Sequence, residues 1–317
     1  MTAPRTPMPP GATVGEALRA ATARLIATSD TARLDAELLM AEALGVGRSE
    51  MLLRHMQAEA PEHFEALVAR REKHEPVAYI LGRKEFYGLE LMVTPAVLIP
   101  RADSETLIDA ARQAFADRAP RTILDLGTGS GALLLAALCI WPEAEGRGLD
   151  RSLDALFVAI RNAQLHANTP NAFVGGGPAD LPAQRPDRGF ARFIQGDWHK
   201  RGWRDHLGRF DLVLCNPPYV EDGAELARDV RDWEPAGALF AGPNGLDDYR
   251  VLIRQLPKLL AENGVAIFEI GATQAEAVGA IAAAAGLTTE LRRDLADRPR
   301  ALVLRSALKQ QSGSADK

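Results

Sequence analysis

The sequence has few cysteines and no excess of positive charge. Its two cysteines, Cys139 and Cys215, both stand in apolar runs, which favours buried reduced thiols in a reducing cytosol over a disulfide framework. Aspartate and glutamate together number 42 against 37 lysines and arginines, and the formal net charge is −5. The chain as a whole therefore lacks the positive charge that draws proteins to nucleic acid through counterion release.

Long hydrophobic runs are also missing. The longest stretch without a charged side chain, residues 126–142, is too short to span a bilayer comfortably, and glycines crowd its beginning. The first eleven residues contain four prolines and one arginine with no apolar segment behind them, unlike a secretory signal. We therefore expect a cytoplasmic protein that has no membrane-embedded part and does not bind nucleic acid directly.

The chain does have the length and composition of an ordinary globular protein. Its 317 residues are 47% hydrophobic and 25% charged, which suits two domains with cores of their own. Residues 14–73 carry apolar side chains at helical spacing, so we predict a helical N-terminal domain over 1–75. The polar ends, 1–12 and 310–317, are predicted to be disordered.

From residue 76 the pattern becomes β-like. Three short runs broken by Gly82 and Gly88 predict a β-hairpin connector over 76–103. The runs are 77–80, 85–87 and 89–93. Strand and helix patterns alternate over 104–309, which favours a mostly parallel sheet with helices on both faces. The predicted strands are 122–126, 147–150, 192–195, 210–215, 265–270 and an antiparallel pair at 288–294 and 301–305; the predicted helices are 104–115, 131–140, 153–166, 246–260 and 275–285.

Three alternate glycines, Gly127, Gly129 and Gly131, stand between a predicted buried strand and a helix. Glycine lets the backbone approach a ligand closely, and the start of a helix favours polar or anionic groups. Asp150 ends the next predicted strand, where a carboxylate can accept both hydroxyls of a ribose. A nucleoside-containing cofactor is therefore predicted. The spacing also fits a dinucleotide fold or a tight turn without a ligand, so the cofactor is not identified by these glycines alone.

Residues 216–219 combine an amide, two prolines and an aromatic ring after another predicted strand. Pro217 must end the strand because it cannot donate to a ladder, and it holds Asn216 in an extended conformation. The side-chain oxygen of Asn216 and the carbonyl oxygen of Pro217 can together accept both hydrogens of a planar –NH2 group, and Tyr219 supplies a flat face. An ordinary Asn-Pro turn is the alternative interpretation.

Asn-Pro-Pro-Tyr at 216–219, together with the glycine-rich strand end, resembles S-adenosylmethionine-dependent methyltransferases that act on planar nitrogens. The segments Pro-Val-Ala-Tyr-Ile-Leu-Gly-Arg-Lys-Glu-Phe-Tyr-Gly at 76–88 and Leu-Ile-Pro-Arg-Ala-Asp-Ser-Glu at 98–105 are similar to the HemK/PrmC family, the glutamine methyltransferases of peptide-chain release factors. Further similar segments are Glu-Pro-Ala-Gly-Ala-Leu at 234–239, Asn-Gly-Leu-Asp at 244–247 and Phe-Glu-Ile-Gly at 268–271. The resemblance covers about 36–304, with Ala102 standing where the family usually has proline.

This resemblance implies an α/β fold: a class I S-adenosylmethionine-dependent methyltransferase with a Rossmann-like, seven-stranded, mostly parallel sheet and an N-terminal helical bundle. It implies that 1–75 recognises the substrate, that 104–309 is the methyltransferase domain, and that the substrate is the glutamine of a Gly-Gly-Gln motif in release factors. The implied cofactor-binding residues are Gly127, Thr128, Gly129, Ser130, Gly131, Asp150, Asp197, Trp198 and Asn216. The implied catalytic residues are Asn216, Pro217 and Tyr219, and Pro218 joins them in binding the substrate.

Three other functions stay open. The motif at 216–219 also suits an adenine-specific nucleic-acid methyltransferase, which the net charge and the segment at 76–88 disfavour. A glutamine methyltransferase of a ribosomal protein is disfavoured by the loop at 99–105, and a binding module without activity by the intact 216–219. The six histidines show no metal-binding spacing, so no metal site is expected. A monomer is expected.

Overall fold

A computed structural model describes residues 11–166 and 191–307. The segments predicted to be disordered, 1–12 and 310–317, lie outside the described residues except for Gly11 and Ala12. Ala12 is buried and its carbonyl accepts a hydrogen bond from the Ala60 amide at 2.9 Å, so the prediction of disorder is wrong there. Among the described residues, no helix is long and apolar enough to cross a membrane.

The described residues form helices and strands that are numbered here in chain order. The α-helices are α1 (Val14–Leu25), α2 (Ala32–Leu44), α3 (Arg48–Glu50), α4 (Phe64–Arg71), α5 (Val77–Leu81), α6 (Glu105–Ala114), α7 (Ala132–Ile140), α8 (Leu153–His166), α9 (Arg228–Arg231), α10 (Asp247–Ile253), α11 (Leu256–Leu259) and α12 (Ala275–Ala284). The strands are β1 (Arg83–Phe86), β2 (Leu89–Met92), β3 (Thr122–Leu126), β4 (Glu145–Asp150), β5 (Ala191–Gln195), β6 (Phe210–Cys215), β7 (Leu260–Glu269), β8 (Leu287–Arg293) and β9 (Pro299–Ser306). A π-helical turn covers Met51–His55, and 3-10 turns cover Ala102–Ser104 and Ala236–Ala238.

The chain divides into two compact units. The first is made of the described part of Met1–Arg83 together with Leu226–Trp233, and the second of the described parts of Lys84–Glu225 and Glu234–Lys317. The first unit is helical, as the apolar spacing over 14–73 predicts. Its core is built from fully buried side chains of α1, α2, the π-helical turn and α4: Leu18, Leu25, Leu39, Met40, Met51 and Phe64.

Leu226–Trp233 is remote in sequence from the rest of the first unit but shares contacts with it. The buried guanidinium of Arg71 donates to Asp35 at 2.7 Å and lies 3.7 Å from the carboxylate of Asp229. The indole of Trp233 donates to the carbonyl of Lys73 at 3.4 Å. These contacts were not predictable, because nothing in residues 226–233 marks them as part of a helical unit far upstream.

The prediction of a strand at 77–80 is wrong, because these residues lie in α5. Pro76 precedes the helix with φ −58°, and the amides of Tyr79 and Ile80 both donate to the carbonyl of Pro76 at 3.0 Å. Gly82 then ends the helix in the left-handed conformation, with φ +71°. The apolar and β-branched side chains suggested a strand, whereas the flanking proline and glycine are signals for the two ends of a helix.

The other two β-like runs of the connector form a hairpin, as predicted. Strands β1 and β2 pair in a two-stranded sheet, and Tyr87 and Gly88 between them have φ +50° and +78°. Two successive residues with positive φ are typical of the tight turn that matches the twist of a hairpin.

The second unit is built on a seven-stranded sheet with the order β5-β4-β3-β6-β7-β9-β8. The first five strands are parallel, and β9 is antiparallel to both β7 and β8, as predicted for the last two strands. Leu126 pairs with both Leu149 and Cys215, so β3, β4 and β6 reach the same edge of the sheet at their carboxyl ends. Gly127, Asp150 and Asn216 stand at that edge.

Helices cover both faces of this sheet. Alternate side chains of β6 point to opposite faces, and all of its residues are buried. Leu212 and Leu214 pack on the face covered by α6, α7 and α8, whereas Val213 and Cys215 pack with α10, α11 and α12. The predicted fold class is confirmed: an α/β fold with a Rossmann-like, seven-stranded, mostly parallel sheet and helices on both faces.

The prediction of a single helix over 246–260 is wrong, because two helices lie there. Helix α10 ends at Ile253, and α11 begins at Leu256 with Pro257 in its first turn. Proline has no amide hydrogen to donate to the preceding turn, so it is tolerated in the first turn of a helix but interrupts a longer one. Strand β7 follows directly from α11.

Candidate active site

A cavity of about 230 Å³ lies at the carboxyl edge of the sheet, within the second unit. Most of the predicted site residues line it: Gly127, Thr128, Gly129, Ser130, Asp150, Trp198, Asn216 and Pro218. Gly131, Asp197, Pro217 and Tyr219 do not line it. Residues that were not predicted as site residues complete the wall, and Phe86, Val97, Ser104 and Leu133 are among them.

The glycine loop is folded tightly against the end of β4. The amides of Gly127 and Thr128 donate to the carbonyl of Leu149 at 2.8 and 3.0 Å, and the amide of Gly131 returns to the carbonyl of Thr128 at 2.7 Å. All three glycines have positive φ, at +73°, +53° and +83° in chain order. The backbone of this loop therefore borders the cavity without side chains in the way.

Gly131 serves packing and not the cavity wall. A Cβ on Gly131 would lie 3.3 Å from Leu135 of α7 and 3.4 Å from Ala159 of α8. The glycine thus allows α7 and α8 to approach each other closely at the start of α7. The packing of α7 against α8 explains the glycine without a ligand, and its predicted role in lining the cofactor pocket stays a prediction.

The carboxylate of Asp150 joins the glycine loop to the start of α8. Its Oδ2 accepts the Gly129 amide and its Oδ1 accepts the Ser152 amide, both at 2.9 Å. Burial raises the pKa of Asp150, and the two amides oppose that shift because they stabilise the charged form. A carboxylate has about four acceptor positions, so Asp150 can accept further hydrogen bonds from hydroxyl groups in the cavity.

Trp198 forms a wall of the cavity and is fixed in place from behind. Its indole nitrogen donates to Oδ1 of Asp248, which also lies 2.9 Å from Nε2 of His199. Asp197 instead accepts the His199 amide at 3.0 Å and does not reach the cavity. Asp248, which was not predicted as a site residue, thus positions Trp198. Asp197, which was predicted to bind the cofactor, does not line the cavity.

Asn216 lines the cavity at the end of β6. Its Nδ2 donates to Oγ of Ser104 at 3.3 Å. Pro217 and Pro218 are buried, as expected for a rigid strand exit. The hydroxyl of Tyr219 donates to Oε1 of Glu269 at 3.3 Å, and burial raises the pKa of this phenol above its usual range. Tyr219 therefore stays protonated at neutral pH.

Glu269 is a buried acid next to the 216–219 segment. Its side chain accepts hydrogen bonds from the hydroxyls of Ser104 and Tyr219. Burial raises the pKa of Glu269 to about 7, although both hydroxyls and Arg300 oppose the shift. The segment Phe-Glu-Ile-Gly at 268–271 was the only sequence signal for this residue.

The loop over 99–104 is held in place by side-chain contacts with other parts of the second unit. The side chain of Glu234 accepts the Ile99 amide at 3.2 Å and pairs with Arg101. Asp103 pairs with Arg300 of β9 at 2.6 Å. These contacts hold Ser104 in place beside Asn216.

A second buried acid, Asp125, lies directly below the glycine loop in β3. Its Oδ2 accepts the hydroxyl of Thr128 at 2.7 Å, while its Oδ1 has no hydrogen-bond partner among the described residues. Burial raises the pKa of Asp125 to about 7.

The residues around the cavity suit a nucleoside-containing ligand. A Cβ on Gly127 would approach the Trp198 ring to 3.2 Å, whereas a Cβ on Gly129 would meet nothing closer than 3.9 Å. The glycine loop, a carboxylate at the strand end and an aromatic wall thus border one space. Within residues 11–166 and 191–307, no cluster of three or more His, Cys, Asp or Glu side chains could hold a metal ion.

Known proteins resemble the chain along most of its length. The sequence model of a family described as the PrmC N-terminal domain matches residues 16–82. The release factor glutamine methyltransferase of Rhodospirillum rubrum is 38% identical over 286 residues, which cover 88% of this chain and 81% of that protein. The enzyme of the same name from Xylella fastidiosa is 39% identical over 268 residues, which cover 82% of this chain and 88% of that protein.

One solved structure that the fold resembles is the release factor-specific protein-(glutamine-N5) methyltransferase of Alicyclobacillus acidocaldarius. It is 22% identical, with a TM-score of 0.37, and the match covers 68% of this chain and 99% of that chain. The fold assignment therefore stands on the strand order and directions of the sheet itself.

Proposed function

Since the chain belongs to the family of release factor glutamine methyltransferases, we propose that its chemistry takes place in the cavity bordered by Gly127, Asp150 and Asn216. The reaction is the methylation of the side-chain amide nitrogen of the glutamine in the Gly-Gly-Gln motif of a peptide chain release factor. S-adenosylmethionine supplies an activated methyl group on a sulfonium, so neither a metal ion nor a covalent enzyme intermediate is required.

The cofactor would be held by the strand ends of β3, β4 and β5. The part of the glycine loop that lines the cavity, Gly127 to Ser130, borders its methionine part, and Asp150 accepts hydrogen bonds from the ribose hydroxyls. Trp198 provides the wall for the adenine. This assignment is supported by the free acceptor positions on Asp150 and by the contact between Trp198 and Gly127.

The target amide would be held by Asn216 and Pro217. The observation that carries this proposal is the hydrogen bond of Asn216, which lines the cavity: its Nδ2 donates to Ser104, so its Oδ1 is available to accept from the substrate. Together with the carbonyl of Pro217, this oxygen can accept both hydrogens of the glutamine –NH2 group. Pro218, which lines the cavity, gives part of the surface for the planar amide; Tyr219 does not line the cavity, so its predicted flat face for the amide stays a prediction.

The reaction is difficult because an amide nitrogen is a poor nucleophile, and these acceptors assist its attack. The lone pair of an amide nitrogen is delocalised into its carbonyl, and positive charge grows on the nitrogen as the methyl group arrives. Preorganised acceptors stabilise that developing charge and hold the nitrogen in line for attack. The methylated nitrogen then loses its proton to solvent. Tyr219 is protonated, and both oxygens of Glu269 accept hydroxyls, so no residue is assigned as a base.

The helical unit would select the protein substrate. The match of residues 16–82 to the PrmC N-terminal domain supports this assignment. A glutamine and its neighbouring glycines offer few features for recognition, so discrimination between proteins needs a surface outside the cavity.

The test is methyl transfer from labelled S-adenosylmethionine to purified release factor, ribosomal protein and adenine-containing DNA. We expect labelling of the release factor alone, and none when its motif glutamine is replaced by alanine. Asn216→Ala should lower kcat by about 100- to 1000-fold, with little change in the Kd of S-adenosylhomocysteine. Asn244→Ala, at an exposed asparagine, is the matched control. A near-normal kcat in Asn216→Ala would show that 216–219 is structural.

A further inference from the structure

We propose that Ser104 and Glu269 are positioning residues that set which way the side-chain amide of Asn216 faces. The inference rests on the proposed function, in which Oδ1 of Asn216 accepts a hydrogen from the substrate. It assigns a role to two residues that do not themselves carry the predicted chemistry. Ser104 and Glu269 are 4% and 1% exposed, so both side chains are buried where they meet.

A continuous chain of hydrogen bonds runs from Asn216 to Glu269. Nδ2 of Asn216 donates to Oγ of Ser104 at 3.3 Å, and that hydroxyl donates to Oε2 of Glu269. The other carboxylate oxygen, Oε1, accepts the hydroxyl of Tyr219 at 3.3 Å. Residues from the turn before α6, from the end of β6 and from the end of β7 thus meet at one point.

The direction of this chain follows from the count of hydrogens. A carboxylate has none to give, and a serine hydroxyl has one. Ser104 uses its hydrogen toward Glu269, so toward Asn216 it can only accept. The –NH2 group of Asn216 must therefore face Ser104, and the side-chain oxygen faces away from it.

The opposite orientation of the amide is unfavourable while Glu269 is a carboxylate. It would bring Oδ1 of Asn216 against Oγ of Ser104 with no hydrogen between them. Two buried acceptors facing each other lose a hydrogen bond and repel. The wild-type cavity therefore presents an acceptor, not a donor, to the incoming glutamine.

Glu269→Gln keeps the size and shape of the side chain but adds a group that can donate a hydrogen bond to Ser104. The amide nitrogen of the glutamine can donate to Ser104 while its oxygen still accepts the hydroxyl of Tyr219. Ser104 is then free to donate to Oδ1 of Asn216, so the Asn216 amide turns and presents –NH2 to the substrate. Two donors would then face each other in the cavity.

The experiment measures kcat and KM with release factor at saturating S-adenosylmethionine. Glu269→Gln should lower kcat by about 10- to 100-fold, the cost typical of a misdirected active-site partner, with the Kd of S-adenosylhomocysteine unchanged. Tyr249→Phe is the control: it removes a buried hydrogen bond to the backbone carbonyl of Glu269 at 2.7 Å and leaves the Asn216–Ser104–Glu269 chain intact. Its kcat should stay at the wild-type value.

A double-mutant cycle separates positioning from a general structural effect. If Glu269 acts through Asn216, then Glu269→Gln should change kcat little in an Asn216→Ala background. Ser104→Ala supplies a second route should Glu269→Gln fold poorly, and its effect should likewise vanish in that background. Full kcat in both Glu269→Gln and Ser104→Ala, or effects that multiply with Asn216→Ala, would overturn the proposal.

The two proposals fail in different ways. If Asn216→Ala itself keeps a normal kcat, the assignment of Asn216 falls, and the positioning role falls with it. If Asn216→Ala is impaired while Glu269→Gln is as active as wild type, only the positioning role falls.

Discussion

The ring of Trp198 lies directly against the backbone of Gly127: a Cβ on Gly127 would come within 3.2 Å of Cη2 of the indole. The indole cannot simply move aside, because its nitrogen is bonded to Asp248. The same glycine has φ +73°, a conformation that costs other residues about 1–2 kcal/mol. Both the turn and the close approach of the ring therefore require glycine at this position.

This relationship predicts that Gly127→Ala costs more than backbone strain alone. Gly286→Ala is the matched control, because Gly286 also has positive φ, at +74°, with nothing within 4 Å of its Cβ position. Both variants should lose the strain term of about 1–2 kcal/mol in free energy of unfolding. Gly127→Ala should lose more and should also weaken binding of S-adenosylhomocysteine, measured by calorimetry. Equal losses in the two variants would contradict the importance of the Trp198 contact.

Asp150→Ala should weaken the binding of S-adenosylhomocysteine by about 10- to 100-fold, because hydrogen bonds to a charged group each contribute about 1.5–3 kcal/mol. Asp154→Ala, an exposed acid four residues on in α8, should leave the Kd unchanged. Calorimetry on both variants and on the wild type measures the difference. Tight binding of a nicotinamide dinucleotide by the wild type would refute the assignment of the cofactor.

The activity should fall on the acid side of about pH 7. The pKa of Glu269 is raised to about 7, so below that pH the side chain binds a proton and can donate to Ser104, as the glutamine of Glu269→Gln would. Proton uptake thus favours the wrong orientation of Asn216, and kcat should fall as the pH falls. The charged and titratable groups that face Glu269 are Asp103, Tyr219, Tyr249, Cys215 and Arg300.

The pH profile of kcat in Glu269→Gln is the check on this assignment. The acid limb should disappear in the variant, whose amide does not titrate. Asp125 also has a pKa raised to about 7, but it bonds to Thr128 of the glycine loop, so measurement at saturating S-adenosylmethionine separates the two. An unchanged acid limb in Glu269→Gln would assign it to another group.

A chain that begins at Lys84 should bind the cofactor but lose selection of the protein substrate. It keeps the sheet and the cavity, so the Kd of S-adenosylhomocysteine should match the full chain and shows that the second unit is folded. We expect kcat/KM for whole release factor to collapse, while a short Gly-Gly-Gln peptide is methylated as slowly as by the full chain. Full activity on whole release factor would mean that the helical unit has another task.

The strands at the centre of the sheet were predictable because a short run of apolar residues in the sequence indicates that a strand is buried. Strand β6 is apolar on both faces, and β3 and β6 were predicted with the bounds that the structure has. The apolar spacing alone led to two wrong predictions. The helix predicted over 246–260 is interrupted before Pro257, and the apolar run at 77–80, between Pro76 and Gly82, is a helix and not the predicted strand. In both cases the deciding signal was a proline or a glycine, not the apolar spacing.

The support for Asn216 was beyond the reach of local patterns. Ser104 and Glu269 are 165 residues apart in sequence and meet only because α6 and β7 are packed in one unit. The motif at 216–219 predicted that an acceptor is needed. It could not show that the orientation of the amide depends on a hydroxyl and a buried acid from other parts of the chain.

The assignment of Leu226–Trp233 to the helical unit has a consequence for biosynthesis. A ribosome makes the chain from its amino end, so Asp229 and Trp233, the partners of Arg71 and Lys73, emerge only after β3, β4, β5 and β6 have been synthesised. The helical unit cannot complete its native contacts while it is the only part of the chain outside the ribosome. Its folding in the cell therefore ends late, and a nascent chain stalled before residue 226 carries an unfinished first unit.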